Sequence, residues 1–455
     1  MPSLGSILSI ANSALKAQQQ ALQVTAHNIA NASTEGYSRQ RAVLAAGPPQ
    51  VSPEGVFGSG VRVVDVQRVR DFFLDQAVRS ETSRAQDHGT RGDILARIET
   101  ILSEPTEQGP ASNLDAFFNA WSELATNPTN ATARELVLAS GGQVAADFNR
   151  MGASLDELRL ETESRLQAAV DRINAILTDI ASMNREIVAQ EASGLTAADT
   201  RDARARLVDE LGSLVPLQVV QAKDGSIGVI VSGVSVVDQG DARQVETKVV
   251  GGVKGIGLTS KPDLFAETGG QTGGMLAALN TDIPDARQSL DDMAAALVAQ
   301  VNTLHRTGTN PLGTTNVDFF DPAGITATGM RVAITDRDEV SAGVGDGTGA
   351  YQAGANDVAL GIAQLRDTTV AALSDTFTGA LTTLVSDVGQ KLRSNSAAAE
   401  VHQTLADQAG ARRAALSEVS VDEELVQMIQ FQTAYAAAAR VVSTTDEMLA
   451  SLLAV

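Results

Sequence analysis

The chain predicts a multi-domain, mainly α protein: paired N- and C-terminal coiled-coil helices, a long-helix bundle domain and a smaller β-rich inserted domain. Three observations predict it. Both ends carry apolar residues at alternating steps of four and three, and the stretch 133–214 repeats aliphatic residues at the same spacing. After Pro216 the pattern changes to short β-branched runs separated by Gly-containing turns. Aromatic residues make up only 3 % of the chain, which favours long helices at close spacing over a bulky globular core. A length of 455 residues accommodates roughly two to four domains with cores of their own.

The pattern at each end of the chain finds a match only at the opposite end. Towards the C-terminus the seam is Val421, Leu425, Met428, Gln432, Tyr435, Ala439, Val442, Asp446, Leu449 and Leu453. At the N-terminus it is Leu4, Leu8, Ala11, Leu15, Gln18, Leu22, Thr25 and Ile29. Small and polar residues interrupt both seams, so neither is a strong zipper alone and the two are expected to be mates. Isolated helices of this kind are marginal in water, so the ends are expected to be poorly ordered in the free monomer and to become helical when packed among copies or partners.

Between the ends, a helix is expected over 4–31, closed by a breaker cluster in which Gly36 takes positive φ. Residues 41–70 are extended, punctuated by Pro48, Pro49 and Pro53, with a strand over 61–66. A helix over 71–103 ends before Pro105. In the next segment Leu114, Phe117, Phe118, Trp121 and Leu124 share one helical face and read as a core anchor. Leu155, Leu158, Leu166, Ile173, Leu177, Ile180 and Ile187 continue the helical repeat to a break at Gly194. The charges after Thr200, Arg201-Asp202-Ala203-Arg204, read as a solvated face with i,i+4 pairs such as Asp202 to Arg206. Runs at 217–221, 227–231 and 234–237 are strands, the first two joined by a turn containing Asp224-Gly225; 245–250 and 253–258 form a further hairpin around Gly251-Gly252. Helices return over 274–305 and 375–417, and the loop-rich stretch 310–354 contains one strand, 329–334. The expected division is 1–40 with 418–455 as the terminal coiled coil, 41–214 with 268–308 and 356–417 as the helical bundle, and 215–267 with 309–355 as the β-rich outer domain.

Composition limits what the chain does. A net charge of −21 argues against binding nucleic acid through a basic face, because phosphate contacts need clustered Lys and Arg. The absence of Cys removes disulfides, thiolate metal sites and cysteine nucleophiles. No run approaches the roughly 18 apolar residues of a membrane span, so no membrane insertion is expected. Residues 1–11 lack the basic region, long apolar core and small-residue cleavage site of a classical signal peptide.

Enzyme chemistry finds no foothold. His27, His88, His305 and His402 are scattered, without metal-ligand spacing. His27 falls outside the seam and is expected to be exposed or hydrogen-bonded. Walker and nucleophile-elbow motifs are missing. Asp336, Asp338 and Glu339 hint at a cation loop without the remaining spacing. Gly343, Gly345, Gly347 and Gly349 read as a flexible loop. No catalytic, cofactor or metal residue is therefore assigned.

Four blocks carry a resemblance. The run Asn28-Ile29-Ala30-Asn31, then Thr34 and Gly36-Tyr37-Ser38-Arg39-Gln40, resembles the N-terminal motif of bacterial flagellar axial proteins, with Glu35 where that family often has Pro. Asn113-Leu114-Asp115-Ala116-Phe117-Phe118-Asn119-Ala120-Trp121 with Asn127-Pro128, and the segment 200–210, are similar to blocks of the hook-associated protein 1 family. So is the C-terminal run containing Asp422-Glu423-Glu424-Leu425, Tyr435, Arg440 and Thr445-Asp446-Glu447-Met448. The resemblance implies a structural subunit joining hook to filament, exported by the flagellar type III apparatus and residing outside the cell. It implies a ring of copies, contacts with flagellar hook protein and hook-associated protein 3, and a cytoplasmic export chaperone on the C-terminal segment. It also implies an assembly interface built from Leu4, Leu8, Leu15, Leu22, Ile29, Gly36, Tyr37, Arg39, Leu425, Met428, Tyr435, Val442, Leu449 and Leu453. Two alternatives remain: another axial subunit of hook or filament type, and a cytoplasmic coiled-coil scaffold.

Overall fold

The computed structural model describes residues 4–52, 55–103, 109–193, 196–265, 269–346 and 350–453. Pro53, Pro105, Gly194, Gly347 and Gly349, read above as breakers or loop residues, lie outside them. Helix α1 (Leu4–Ala30) leads into an antiparallel ribbon of β1 (Gln40–Ala46) and β4 (Val61–Arg68), with the small hairpin β2 (Gln50–Ser52) and β3 (Gly55–Phe57) between them. Four helices follow: α2 (Phe72–Ser103), α3 (Pro110–Thr126), α4 (Ala131–Ala192) and α5 (Ala198–Leu214). The insert is an antiparallel sheet of β5 (Gln218–Gln221), β6 (Ile227–Val231), β7 (Val234–Asp238) and β8 (Asp241–Ala242), then a hairpin of β9 (Val245–Val250) and β10 (Val253–Leu258). Helix α6 (Gly270–Ala277) runs through one π turn, Ala278–Asp282, into α7 (Ile283–His305). The short α8 (Asp357–Gln364), then α9 (Phe377–Ser417) and α10 (Val421–Leu453), complete the chain.

The 62 residues of α4 form the backbone of the molecule, about 93 Å long at 1.5 Å per residue. Asn130 starts it, its side chain accepting from Thr132 N and Ala133 N. One end of α4 lies in an aromatic core. Phe117 and Trp121 of α3 are fully buried, and Trp121 meets Phe319 edge-on at 5.4 Å between ring centroids. Gly141 of α4 admits that ring, since a Cβ there would stand 2.7 Å from Phe319 Cε1. Phe319 and Phe320 are 4.8 Å apart and both buried. Residues 309–355, grouped by sequence with the outer β-rich part, thus supply aromatic rings to the helical core. Burial of two phenylalanines outweighs the loop character of their neighbours.

The strand expected over 329–334 is absent as a strand. Only Val332 bridges Phe320, and Ala327–Gly329 is a single 3-10 turn. The Asn149 side chain on α4 instead donates to Met330 O at 2.7 Å and Ala327 O at 3.2 Å, drawing these carbonyls towards the helix. Asp336 and Glu339 form a capping box on one 3-10 turn, which accounts for their acidic spacing.

At the other end of α4, buried Asn184 fastens the insert. Its Nδ2 donates to Ile227 O at 2.8 Å and its Oδ1 accepts from Ile227 N at 3.2 Å. His305 plays a comparable part in the aromatic core: Nδ1 donates to Val317 O at 2.7 Å, and Nε2 accepts from Ser341 N at 3.0 Å. Burial holds this imidazole below its ordinary value of 6.5, and both ring nitrogens are committed in the neutral form. The unfolded chain binds the proton first, so the stabilisation is present above 6.5 and is lost as pH falls below it. His305→Gln is expected to flatten the stability-versus-pH curve below about pH 6.5, measured by denaturant unfolding; an unchanged slope refutes this role.

Helices α2 and α9 run antiparallel along the body, shown by Glu81 beside His402 and Asp75 beside Arg413. They bring the end of α9 to the point where the terminal helices begin.

Candidate assembly site: the terminal helix pair and its polar joint

The two ends of the chain pack on each other. Helix α1 meets α10 antiparallel, because Asn28 near the end of one bonds Glu424 near the start of the other, Nδ2 to Oε2 at 3.0 Å. The most buried residues of α1 are small or polar: Ala11, Ala17, Ala21, Thr25 and Asn28. A stripe of alanines lets neighbouring backbone approach closely. Leu4, Leu8, Leu15, Leu22 and Ile29 lie half-buried around it.

On α10 the observed contact face is rotated from the expected seam. Glu424 and Thr445 are buried and Met428, Phe431, Ala434, Ala438, Val442 and Leu449 half-buried. Gln432 and Asp446 are exposed, as are Val421, Leu425 at 44 % and Tyr435 at 40 %. The side chain of Leu453 lies outside the described residues. Two causes act together. A helix of 3.6 residues per turn drifts against a 3.5-residue seam, and Glu424 is drawn inward by hydrogen bonds that periodicity does not register.

Those bonds form a polar joint. Gly36, at φ +73°, turns the chain after α1 so that residues 37–40 double back. Asn28 Oδ1 then accepts from Gln40 N and Tyr37 OH, both at 2.9 Å, and Asn28 Nδ2 also donates to Gln40 O at 2.8 Å. Tyr37 is half-buried; burial first, then the negative charges of Asp199, Asp202 and Glu424, push its hydroxyl well above the ordinary range. It therefore stays a donor to Asn28 and accepts from His27 Nδ1 at 3.0 Å.

Arg39 secures the hinge between α9 and α10. Its backbone N donates to Ser417 O at 2.8 Å, its Nε to Glu424 Oε1 at 2.7 Å and its Nη1 to Glu423 Oε2 at 2.8 Å. Ser38 reaches the body: N and Oγ donate to the two carboxylate oxygens of Asp202 at 3.1 and 2.6 Å. Arg68 of β4 closes the connection at 2.7 Å from the same carboxylate. Burial pulls the Arg68 guanidinium down to about 10, so it remains charged at neutral pH.

Asp202 therefore corrects the sequence reading. It is buried and bonds Ser38 and Arg68 instead of pairing with Arg206, while Arg206 Nη1 donates to Glu35 O at 2.9 Å. Arg204, also read as solvated, is buried against Asn184 Oδ1 at 2.6 Å. Of the expected site residues, the structure brings Gly36, Tyr37 and Arg39 into the joint. Asn28, Ser38, Asp202 and Glu424 were missed as joint residues, although all four stood in the quoted blocks. Polar residues clustered after an apolar helix were the available signal.

A Cβ on Gly36 would stand 2.6 Å from Arg206 Cγ and Cδ. Gly36→Ala is expected to destabilise by about 1–2 kcal/mol through the left-handed backbone alone. Unfolding in an Arg206→Ala background tests this, because the cost should persist there; its disappearance would assign it to the contact.

Among the described residues, no group of three or more His, Asp or Glu side chains is arranged to hold a metal ion. No described helix is long and apolar enough to cross a membrane.

Comparison with known proteins extends these observations. The flagellar hook-associated protein FlgK helical domain matches residues 95–320. The flagella basal body rod protein family matches residues 8–37, and the C-terminal family of flagellar basal body rod FlgEFG proteins matches 415–455. Flagellar hook-associated protein 1 of Bacillus subtilis is 31 % identical over 97 % of this chain and 96 % of its own length. The chain belongs to the flagellar hook-associated protein 1 family. Its Escherichia coli member is 27 % identical over 70 % of this chain and 60 % of its own length. The solved flagellar hook junction protein FlgK of Burkholderia pseudomallei shares the fold, with a TM-score of 0.66 over 76 % of this chain and all of its own at 14 % identity. Family membership makes this chain a structural subunit of the bacterial flagellum. The two rod-protein matches fall on α1 with its turn and on α10, the elements joined by the polar joint.

Proposed function

We propose that the chain joins hook to filament as a ring of copies, held by its terminal helices. The observation that carries this reading is the apolar surface α10 leaves uncovered. Leu425 and Ile429 flank the α1 contact in its first half, and Val441, Met448 and Leu452 flank it in the second; Ile429 is 60 % exposed. In this reading the assembly interface comprises Leu4, Leu8, Leu15, Leu22 and Ile29 of α1, Gly36, Tyr37 and Arg39 of the turn, and Leu425, Met428, Tyr435, Val442, Leu449 and Leu453 of α10. Half-buried members complete their burial against neighbouring copies, and the turn residues hold the pair at a set angle to the body. Head-to-tail contacts of this kind are heterologous and propagate a helical arrangement.

The partners are flagellar hook protein on one side and hook-associated protein 3 on the other, with a cytoplasmic chaperone covering the C-terminal segment before export. The subunit travels unfolded through the flagellar type III apparatus, and its role is structural, without catalysis. The terminal pair, the helical body and the 215–265 insert act as separate parts. Electron microscopy of a strain lacking the protein tests the reading. Hooks without filaments are expected; filaments attached to hooks at normal frequency would refute it.

A further inference from the structure

The terminal helix pair is joined to the body without an apolar core. Among the described residues, the connected hydrophobic core takes nothing from α1, the β1–β4 ribbon or α10. The buried alanines of α1, Ala11, Ala17 and Ala21, lie outside it. The chain crosses between the two parts twice, at 69–71 between β4 and α2 and at 418–420 between α9 and α10, and both crossings are short stretches outside helix and strand. Arg39 ties the crossings to each other: its O accepts from Val69 N and its N donates to Ser417 O, both at 2.8 Å. Two short connectors pinned at one residue describe an axis about which the parts can turn.

Away from that axis the links are polar, and one group gathers the buried ones. The Asp202 carboxylate of α5, 4 % exposed, accepts from Ser38 N and Ser38 Oγ and pairs with Arg68 of β4. Other links, among them Gln40 Nε2 to Asp199 Oδ1 at 3.1 Å and Arg206 to Glu35 O, reach the surface, where water competes for the same groups. Beside Asp202 a cleft of about 620 Å³ separates β4 from α5. Arg68 and Arg70 line it on one side, Arg201 and Arg204 on the other. Carboxylates balance them, Asp202 on Arg68, Asp75 on Arg70 and Glu191 on Arg201. Burial, then the like charges of Arg201 and Arg68, pull Arg204 down to about 10, so the two faces repel wherever a carboxylate is missing. Without the charge of Asp202, Arg68 meets Arg204 uncompensated, and the cleft gives the ribbon room to move.

We propose that the terminal helices and their ribbon turn as one unit about residues 69–71 and 418–420, with Asp202 as the latch that holds the closed setting. This motion belongs to the single chain and does not depend on the assembly reading. In an assembly held by terminal helices, it lets the body lean while those helices stay packed.

The test measures distances between spin labels in the full chain by double electron–electron resonance. The chain has no Cys, so introduced ones label cleanly. Gln20→Cys on α1 with Ser182→Cys on α4 spans the hinge, and Gln20→Cys with Gln432→Cys on α10 stays within the helix pair; all three positions are exposed. The spanning pair is expected to give one narrow distance. Asp202→Asn should add a second, lowering the ratio of closed to open chains about tenfold or more, as loss of a charge-assisted link implies. The distance within the helix pair should not change. Adding Arg68→Gln removes the uncompensated charge and is expected to restore most of the closed population. A spanning distance unmoved by Asp202→Asn overturns the inference. So does a distance within the helix pair that broadens alongside it, because the helices then separate instead of turning together. An open population undiminished by Arg68→Gln overturns the charge role of the latch.

Discussion

Asn28→Ala is expected to loosen helix α1 from α10 and from the turn at 37–40. Asn28 is buried and its amide makes bonds to Gln40 N, Gln40 O, Tyr37 OH and Glu424. Alanine removes all of them while leaving the partners in place. Each stranded buried group costs roughly 1–3 kcal/mol, and partial rehydration of the half-buried Tyr37 offsets some of the sum, so a local loss of about 2–4 kcal/mol is expected. The loss should be confined to the joint, because Ser38, Arg39 and Asp202 keep their own bonds. Hydrogen exchange reads it directly. Amides of α1 and α10 should exchange about 30-fold faster or more, while those of α4 around Phe148 and Leu155 stay protected. Equal acceleration in both regions would mean that Asn28 supports the whole fold and not the joint.

Removing residues 421–455 is expected to abolish incorporation into flagella and leave the body folded. The truncation removes α10 with the exposed apolar residues flanking its seam, and it leaves α1 without the helix it packs on. The core that remains is independent of it: Trp121, Phe117, Phe319 and Phe320 pack among themselves, and Asn184 still fastens the insert. Circular dichroism should show helix content falling by no more than the two terminal helices, with a cooperative thermal transition retained. Immunoblots of purified flagella should find none of the truncated chain. Normal incorporation would remove α10 from assembly, and loss of the cooperative transition would make it part of the folding core.

The elements read best from sequence were those whose face pattern is repeated many times. The seven aliphatic positions from Leu155 to Ile187 marked α4, and all seven are buried. The Asp-Gly and Gly-Gly turns marked the hairpins β5–β6 and β9–β10, with Gly225, Gly251 and Gly252 at positive φ. Gly36 was read correctly for the same reason, since a conformation closed to most residues leaves a trace in residue choice. Phe319 and Phe320 were misplaced because two aromatic residues in a loop carry no period, so the helix that receives them is invisible along the chain.

The sequence by itself determined the helices, the inserted strands and the mating of the two ends. Those depend on local propensity and on apolar spacing, both of which are written in consecutive residues. Only the tertiary structure decided which face of α10 turns towards α1 and what Asp202 and Glu424 are for. Their partners stand 164 and 396 residues away, at Ser38 and Asn28. A carboxylate looks the same in sequence whether water or a buried donor awaits it, and folding alone supplies the difference.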